Sequence, residues 1–128
     1  MSVANGKKTN VSKGKKVIHK HHVPPLPETM WAIKNLMLAF YGRQMNDPDY
    51  TQRQWASDAK LGNASIISRM QEQGNLGLDK AVRLSRPLGV SLNDLLREPT
   101  DFIKNVLHLD PKKMIDHFGR KTLQNFLR

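Results

Sequence analysis

Residues 51–74 read TQRQWASDAKLGNASIISRMQEQG, and their local chemistry decides the fold. Thr51 and Gln54 form a T-x-x-Q capping pattern. The Thr51 hydroxyl is expected to accept from the Gln54 amide, and the Gln54 side chain to reach back to the Thr51 amide. This predicts a short helix with Trp55, Ala56 and Ala59 on its inner side. Lys60, Leu61 and Gly62 then turn the chain. Asn63 suits the N-cap of a second helix, running from Ala64 towards Gln73. Within it Ile67 and Met70, three apart, face inward, with Ile66 at the edge of that face. Gly74 suits a left-handed stop.

Two short helices around a tight, glycine-containing turn describe a helix-turn-helix. The outer face of the second helix is small and hydrogen-bonding: Asn63, Ala64, Ser65, Ser68, Arg69 and Gln71. Small residues let a backbone approach a base edge. Arginine bridges guanine O6 and N7, and Asn or Gln pairs with adenine. The plainer alternative is a helical hairpin inside an ordinary core, because short T-x-x-Q and Gly patterns are common.

Beyond Gly74, residues 78–96 read LDKAVRLSRPLGVSLNDLL. Together with TQRQWASDA and IISRM, this order of motifs resembles the Cro/repressor-type helix-turn-helix family, the lambda-repressor-like DNA-binding domains. That family runs T-Q-x-x-L-A-x-x-A-G-V, then a recognition helix containing I-S-R-I-E, then L-G-V-S-L-D-E-L-L. Residues 88–96 follow the last segment almost letter for letter, and the resemblance spans roughly residues 30–97. Trp55 stands where the family has Leu, and Lys60 stands near its turn glycine. The register that buries Ile67 and Met70 needs one residue inserted in the turn. Without the insertion, Arg69 falls on a core position.

The resemblance implies sequence-specific binding of double-stranded DNA. Asn63, Ala64, Ser65, Ser68 and Arg69 then face the major groove. Gln52 opens the first motif helix, where the family contacts phosphate and braces the recognition helix. Ser91 and Asn93 are weaker backbone-contact candidates.

Charge points the same way. The 128 residues carry 21 Lys and Arg against 11 Asp and Glu, a formal net charge of +10. Six lysines precede Glu28, namely Lys7, Lys8, Lys13, Lys15, Lys16 and Lys20, with no acid among them. Such a distribution favours polyanions. Residues 1–23 have no hydrophobic period and are expected to be disordered alone. They read either as a solubilising tail or as a basic arm laid along DNA phosphates, with Lys13, Lys15 and Lys16 as contacts. His19, His21 and His22 cluster there, with nothing to fix a metal geometry. Residues 23–27, VPPLP, make a stiff hinge. With no cysteine there is no disulfide framework or thiolate site, which is compatible with a reducing cytoplasm. No apolar run approaches the ~20 residues of a membrane span.

The rest of the chain reads as helices. Residues 28–45 place Ile33, Leu36, Met37, Phe40 and Tyr41 on one face. Asn46-Asp-Pro-Asp49 ends that helix. Leu78, Ala81, Val82 and Leu84 mark another, which Pro87 stops near Ser85 or Arg86. Ser91 and Asp94 cap a one- to two-turn helix carrying Leu92, Leu95 and Leu96 inward, closed by Pro99. Thr100 or Asp101 caps a helix bearing Phe102, Ile103, Val106 and Leu107. Asp110-Pro111 opens a last helix with Ile115, Phe118, Leu123, Phe126 and Leu127, weakened by Gly119. This pair either finishes the core or supplies a dimer surface.

No catalytic constellation is legible. There is no phosphate-binding Gly-rich loop and no H-E-x-x-H, and Ser65 and Ser68 lack a His or Asp partner at useful spacing. The expectation is therefore an all-α chain. A compact five-helix lambda-repressor-like domain spans 28–98, a helical extension 99–128, and a disordered basic arm with its hinge 1–27. Its expected role is a transcriptional regulator, a repressor acting by operator occupancy, homodimeric and associated with the nucleoid in the cytoplasm, without cofactor or metal. The alternative is an antitoxin-type regulator whose C-terminal helices bind a partner protein.

Overall fold

The computed structural model describes residues 24, 26–123 and 126. The arm with Lys13, Lys15 and Lys16, the His19, His21 and His22 cluster, and Leu127 lie outside the described residues. Every regular element among the described residues is helical: α1 (Pro27–Asn46), α2 (Gln52–Asp58), α3 (Ser65–Gln73), α4 (Leu78–Ser85), a 3-10 turn (Arg86–Leu88), α5 (Leu92–Leu95), α6 (Pro99–Asn105), α7 (Pro111–Phe118) and α8 (Arg120–Leu123). Among these, no helix is long and apolar enough to cross a membrane.

α1 is the axis of the molecule. Pro27 sits at its start, where a missing amide hydrogen costs nothing. Of its expected face, Ile33, Leu36, Met37 and Phe40 are buried and Tyr41 is half-buried; Asn35, Leu38, Ala39 and Gly42 are buried as well. A helix buried on most sides must be enclosed by several neighbours. α5, α6 and the 3-10 turn all pack on it. Gly42 permits the closest approach: a Cβ there would lie 3.3 Å from Leu109 Cδ1 and 3.4 Å from Leu107 Cδ1.

One buried cluster joins Leu36, Phe40, Trp55, Ile67, Leu84 and Leu95 to Phe102, Ile103, Met114 and Leu123. The C-terminal helices therefore share the core of the α2–α5 segment. Tyr41 on α1 meets Phe118 at 5.1 Å and Phe126 at 5.8 Å between ring centroids. Asn35, wholly buried, donates through Nδ2 to the carbonyls of Leu95 (3.0 Å) and Arg97 (2.8 Å). It thereby satisfies acceptors at the end of α5 that no helical amide reaches.

Several helix ends follow the sequence. Ser91 and Asp94 form a reciprocal capping box, each side chain accepting from the other's amide at 3.1 Å. Asp110 caps α7, with Pro111 in the first turn. α4 ends at Ser85, and Pro87 is accommodated in the 3-10 turn that Gly89 closes at φ 71°.

Other expectations are corrected. Glu98, rather than Thr100 or Asp101, caps α6 by accepting from the Asp101 amide at 3.3 Å, which makes Pro99 the first residue of α6. Gly119, at φ 92°, divides the expected last helix into α7 and α8. Of the three leucines assigned inward on α5, only Leu95 is buried; Leu92 and Leu96 are exposed. A single helical turn presents one residue to the core, so its neighbours point elsewhere. They border an apolar groove with Thr29, Ala32, Leu76 and Leu78.

Candidate nucleic-acid interface

The α2–α3 pair is built as its sequence requires, with one exchange of partners. Thr51 Oγ1 accepts from the Gln54 amide at 3.1 Å, so the first half of the capping pattern is present. The second half is replaced. Gln54 Nε2 donates instead to Asp58 Oδ1 at 2.8 Å, one helical turn onward. A carboxylate is the stronger acceptor, and residues four apart face each other on a helix.

Trp55 anchors α2. It is fully buried and stacks on Phe40 with ring centroids 5.0 Å apart and planes 12° apart. Its Nε1 donates to the Leu84 carbonyl at 2.9 Å, which ties α2 to the last turn of α4. Behind it, Tyr50 donates its hydroxyl to Asp58 Oδ2 at 3.1 Å, and Arg43 lies 4.1 Å above the Tyr50 ring. Burial pushes the Tyr50 phenol up to about 12, and the hydrogen bond to the Asp58 carboxylate adds to the rise.

The turn is a left-handed cap. The Leu61 amide donates to the Ala56 carbonyl at 2.9 Å and the Lys60 amide to Ser57 at 3.0 Å, with Lys60 at φ 62°. This is the hydrogen-bond pattern that glycine usually closes. Asn63 Oδ1 then accepts from the Ser65 amide at 2.8 Å. The N-cap position itself falls on Ala64 rather than on Asn63, and the regular helix starts one residue later than expected, at Ser65, with Asn63 supporting it from the preceding turn. Gly74 ends it at φ 68°.

Within α3, Ile67 and Met70 are buried while Ser65, Ser68 and Arg69 are exposed. This is the register with one inserted residue in the turn. The exposed side also carries Glu72, four residues after Ser68. It is the residue type that accepts from cytosine N4. Arg69 Nη2 donates to Ser65 Oγ at 3.2 Å, which holds the guanidinium along the outer surface of the helix. Ala64 is half-buried against the core, so it offers less surface than expected. Gln52, at the start of α2, is half-buried as well.

Two open clefts flank α3. One, about 190 Å³, lies towards α4 and includes Arg69, Gln73, Asn75, Gly77 and Lys80 in its lining. The other, about 300 Å³, lies at the turn and includes Arg53, Ser57, Lys60, Gly62 and Asn63. Neither lining contains a carboxylate. Arg53 and Lys60 escaped the sequence reading. The available signal was Lys60 itself, standing where the resembled pattern has glycine. Compared with protein-family models, curated proteins and solved structures, the chain matches none.

Proposed function

We propose that this chain is a sequence-specific double-stranded DNA-binding regulator, with α2 and α3 as a helix-turn-helix of the Cro/repressor type. The observation that carries the reading is the division of α3. Ile67 and Met70 fix it to the core, and Ser65, Ser68 and Arg69 stand clear on the opposite side. Short polar side chains and a guanidinium on a rigidly held helix are what base-edge recognition in a major groove requires. Acid-free clefts on both flanks suit the phosphate rows that border such a groove. Asn63 and Gln52 are secondary contacts of the same surface. Within this proposal the protein acts as a homodimer, represses by occupying its operator, and resides on the nucleoid of the cytoplasm.

The antitoxin-type alternative gains less support. Phe102, Ile103, Met114 and Leu123 already lie in the common core, so they are not available to a partner protein.

Selection of bound duplexes from a random DNA pool tests the proposal. A recurring sequence with two-fold symmetric half-sites is expected. Recovery of unrelated sequences would overturn specific recognition, and a recurring site without symmetry would overturn the dimer.

A further inference from the structure

We propose that Arg53 and Lys60 form a seat for one backbone phosphate of duplex DNA, at the turn between α2 and α3. The inference rests on the reading of α3 as the helix that enters the major groove. It adds a positioning contact that neither capping nor helical periodicity reveals.

The first observation is a contrast among cations. Arg43, Arg83 and Arg97 each have a carboxylate oxygen within 4.0 Å. Among the described residues, Arg53 and Lys60 have neither an ion pair nor a hydrogen-bond partner for their side chains, a state they share with Lys80, Arg86, Lys112, Lys113 and Arg120; what sets them apart is that the two meet at one cleft. Both are exposed and both line the same cleft. The acid nearest Lys60 in sequence, Asp58, accepts from Tyr50 through one oxygen and from Gln54 through the other. It is not part of the cleft lining. Two like charges facing one open, acid-free cleft repel each other, and an anion between them reverses the sign of the interaction.

The second observation is position. Asn63 and Ala64, which lead into α3, line this cleft together with the two cations. An anion held here lies at the edge of whatever groove α3 occupies. Duplex DNA places phosphates at that edge, and contacts to them set the register of a protein without reading sequence. A shallow site with two cations holds a free anion weakly in salt. A phosphate within a polymer is different, because its neutralisation releases condensed counterions.

Lys60 makes the test discriminating. At φ 62° it occupies the backbone region that glycine tolerates and other residues adopt at a cost. Lys60→Gly relieves that cost and removes the cation. It is expected to raise the melting temperature while weakening DNA binding. Arg53→Gln and Lys60→Gln remove the charges with the backbone kept.

Titrations of the full chain against a selected duplex and a random-sequence duplex, at several salt concentrations, give the answer. Because the two cations serve one phosphate in each subunit, losing the seat is expected to reduce the slope of log affinity against log salt by about 0.9 per subunit, the double variant by no more, and to weaken binding about fivefold per subunit near 0.15 M salt. The ratio of affinities for the two duplexes should stay at the parent value. Unchanged slopes in all variants, with the parent binding normally, overturn the phosphate seat. A changed affinity ratio also overturns it, by making these residues base readers. A parent that binds neither duplex overturns instead the reading of α3 on which the seat rests.

Discussion

The α2–α3 pair and the α6–α8 segment feed the same core and treat their surfaces in opposite ways. α6–α8 delivers Phe102, Ile103, Met114 and Leu123 to full burial and sets Phe118 and Phe126 against Tyr41. Some of its acids are engaged locally: Asp101 accepts from Arg97, and Glu98 and Asp110 cap helix ends, while Lys112, Lys113 and Arg120 have no side-chain partner among the described residues. α2–α3 delivers one large aromatic, Trp55, with Ile67, Met70 and two alanines. Its outer side is short and polar, and Arg53 and Lys60 go unanswered among the described residues. The two segments therefore differ less in unpaired cations than in their outer side chains: aromatic rings close over α1 in the first, and short polar groups border an acid-free cleft in the second.

The strongest way to break this contrast is Phe102→Ala. A fully buried Phe on α6 should cost ~3–5 kcal/mol, against a total stability of roughly 5–15 kcal/mol for a domain. Denaturant unfolding checks it. A midpoint equal to the parent's would show that α6 is an appendage after all.

Arg69→Ala probes the other region. DNA binding should weaken by ~1–3 kcal/mol, with preference relaxed at one base position of each half-site. Stability should stay within about 0.5 kcal/mol of the parent, because the side chain is exposed. Thermal melts beside binding to an operator with that base pair replaced separate the two effects. A mutant that discriminates the replaced base as sharply as the parent removes Arg69 from the recognition set.

The smallest effect concerns Tyr50, at the seam between the regions. Its folded pKa is about 12 against an ordinary 10.0. The unfolded chain therefore ionises first. The stabilisation is complete below pH 10 and is lost as pH rises towards 12. Tyr50→Phe should flatten the fall of the denaturant midpoint across that alkaline window. Parallel profiles for parent and mutant would mean the Asp58 hydrogen bond does not couple to folding.

Legibility in the sequence follows the range of the interaction. Thr51, Ser91, Asp94, Asp110 and Gly74 act through neighbours within a few residues, and their roles can be read from spacing alone. The inward set of α3 was equally legible, since Ile67 and Met70 leave one register that buries both. Leu92 and Leu96 misled because one turn of helix is too short to have a periodicity. Gln54 misled because two partners at similar spacing competed and the charged one prevailed. Arg43, near the end of α1, has its guanidinium over Tyr50 and donates to the Pro87 carbonyl at 3.2 Å, 44 positions along the chain. Nothing local announces such a bond. The unpaired state of Arg53 and Lys60 is likewise a property of three-dimensional surroundings.

Asn35 has a consequence for how many ways this chain can pack. Its amide group feeds two carbonyls at the end of α5, and its own Oδ1 has no partner among the described residues. A leucine there would fill the space and tolerate α1 sliding along its neighbours, since apolar contacts are forgiving of small shifts. An amide is not. Displacing α1 by one turn would strand the buried Leu95 carbonyl and the buried Asn35 donor, at ~1–3 kcal/mol for each group left unmatched, and free the part-buried Arg97 carbonyl. The side chain thus penalises misaligned assemblies more than it rewards the aligned one. It keeps a helix that is greasy on most of its circumference in a single seat.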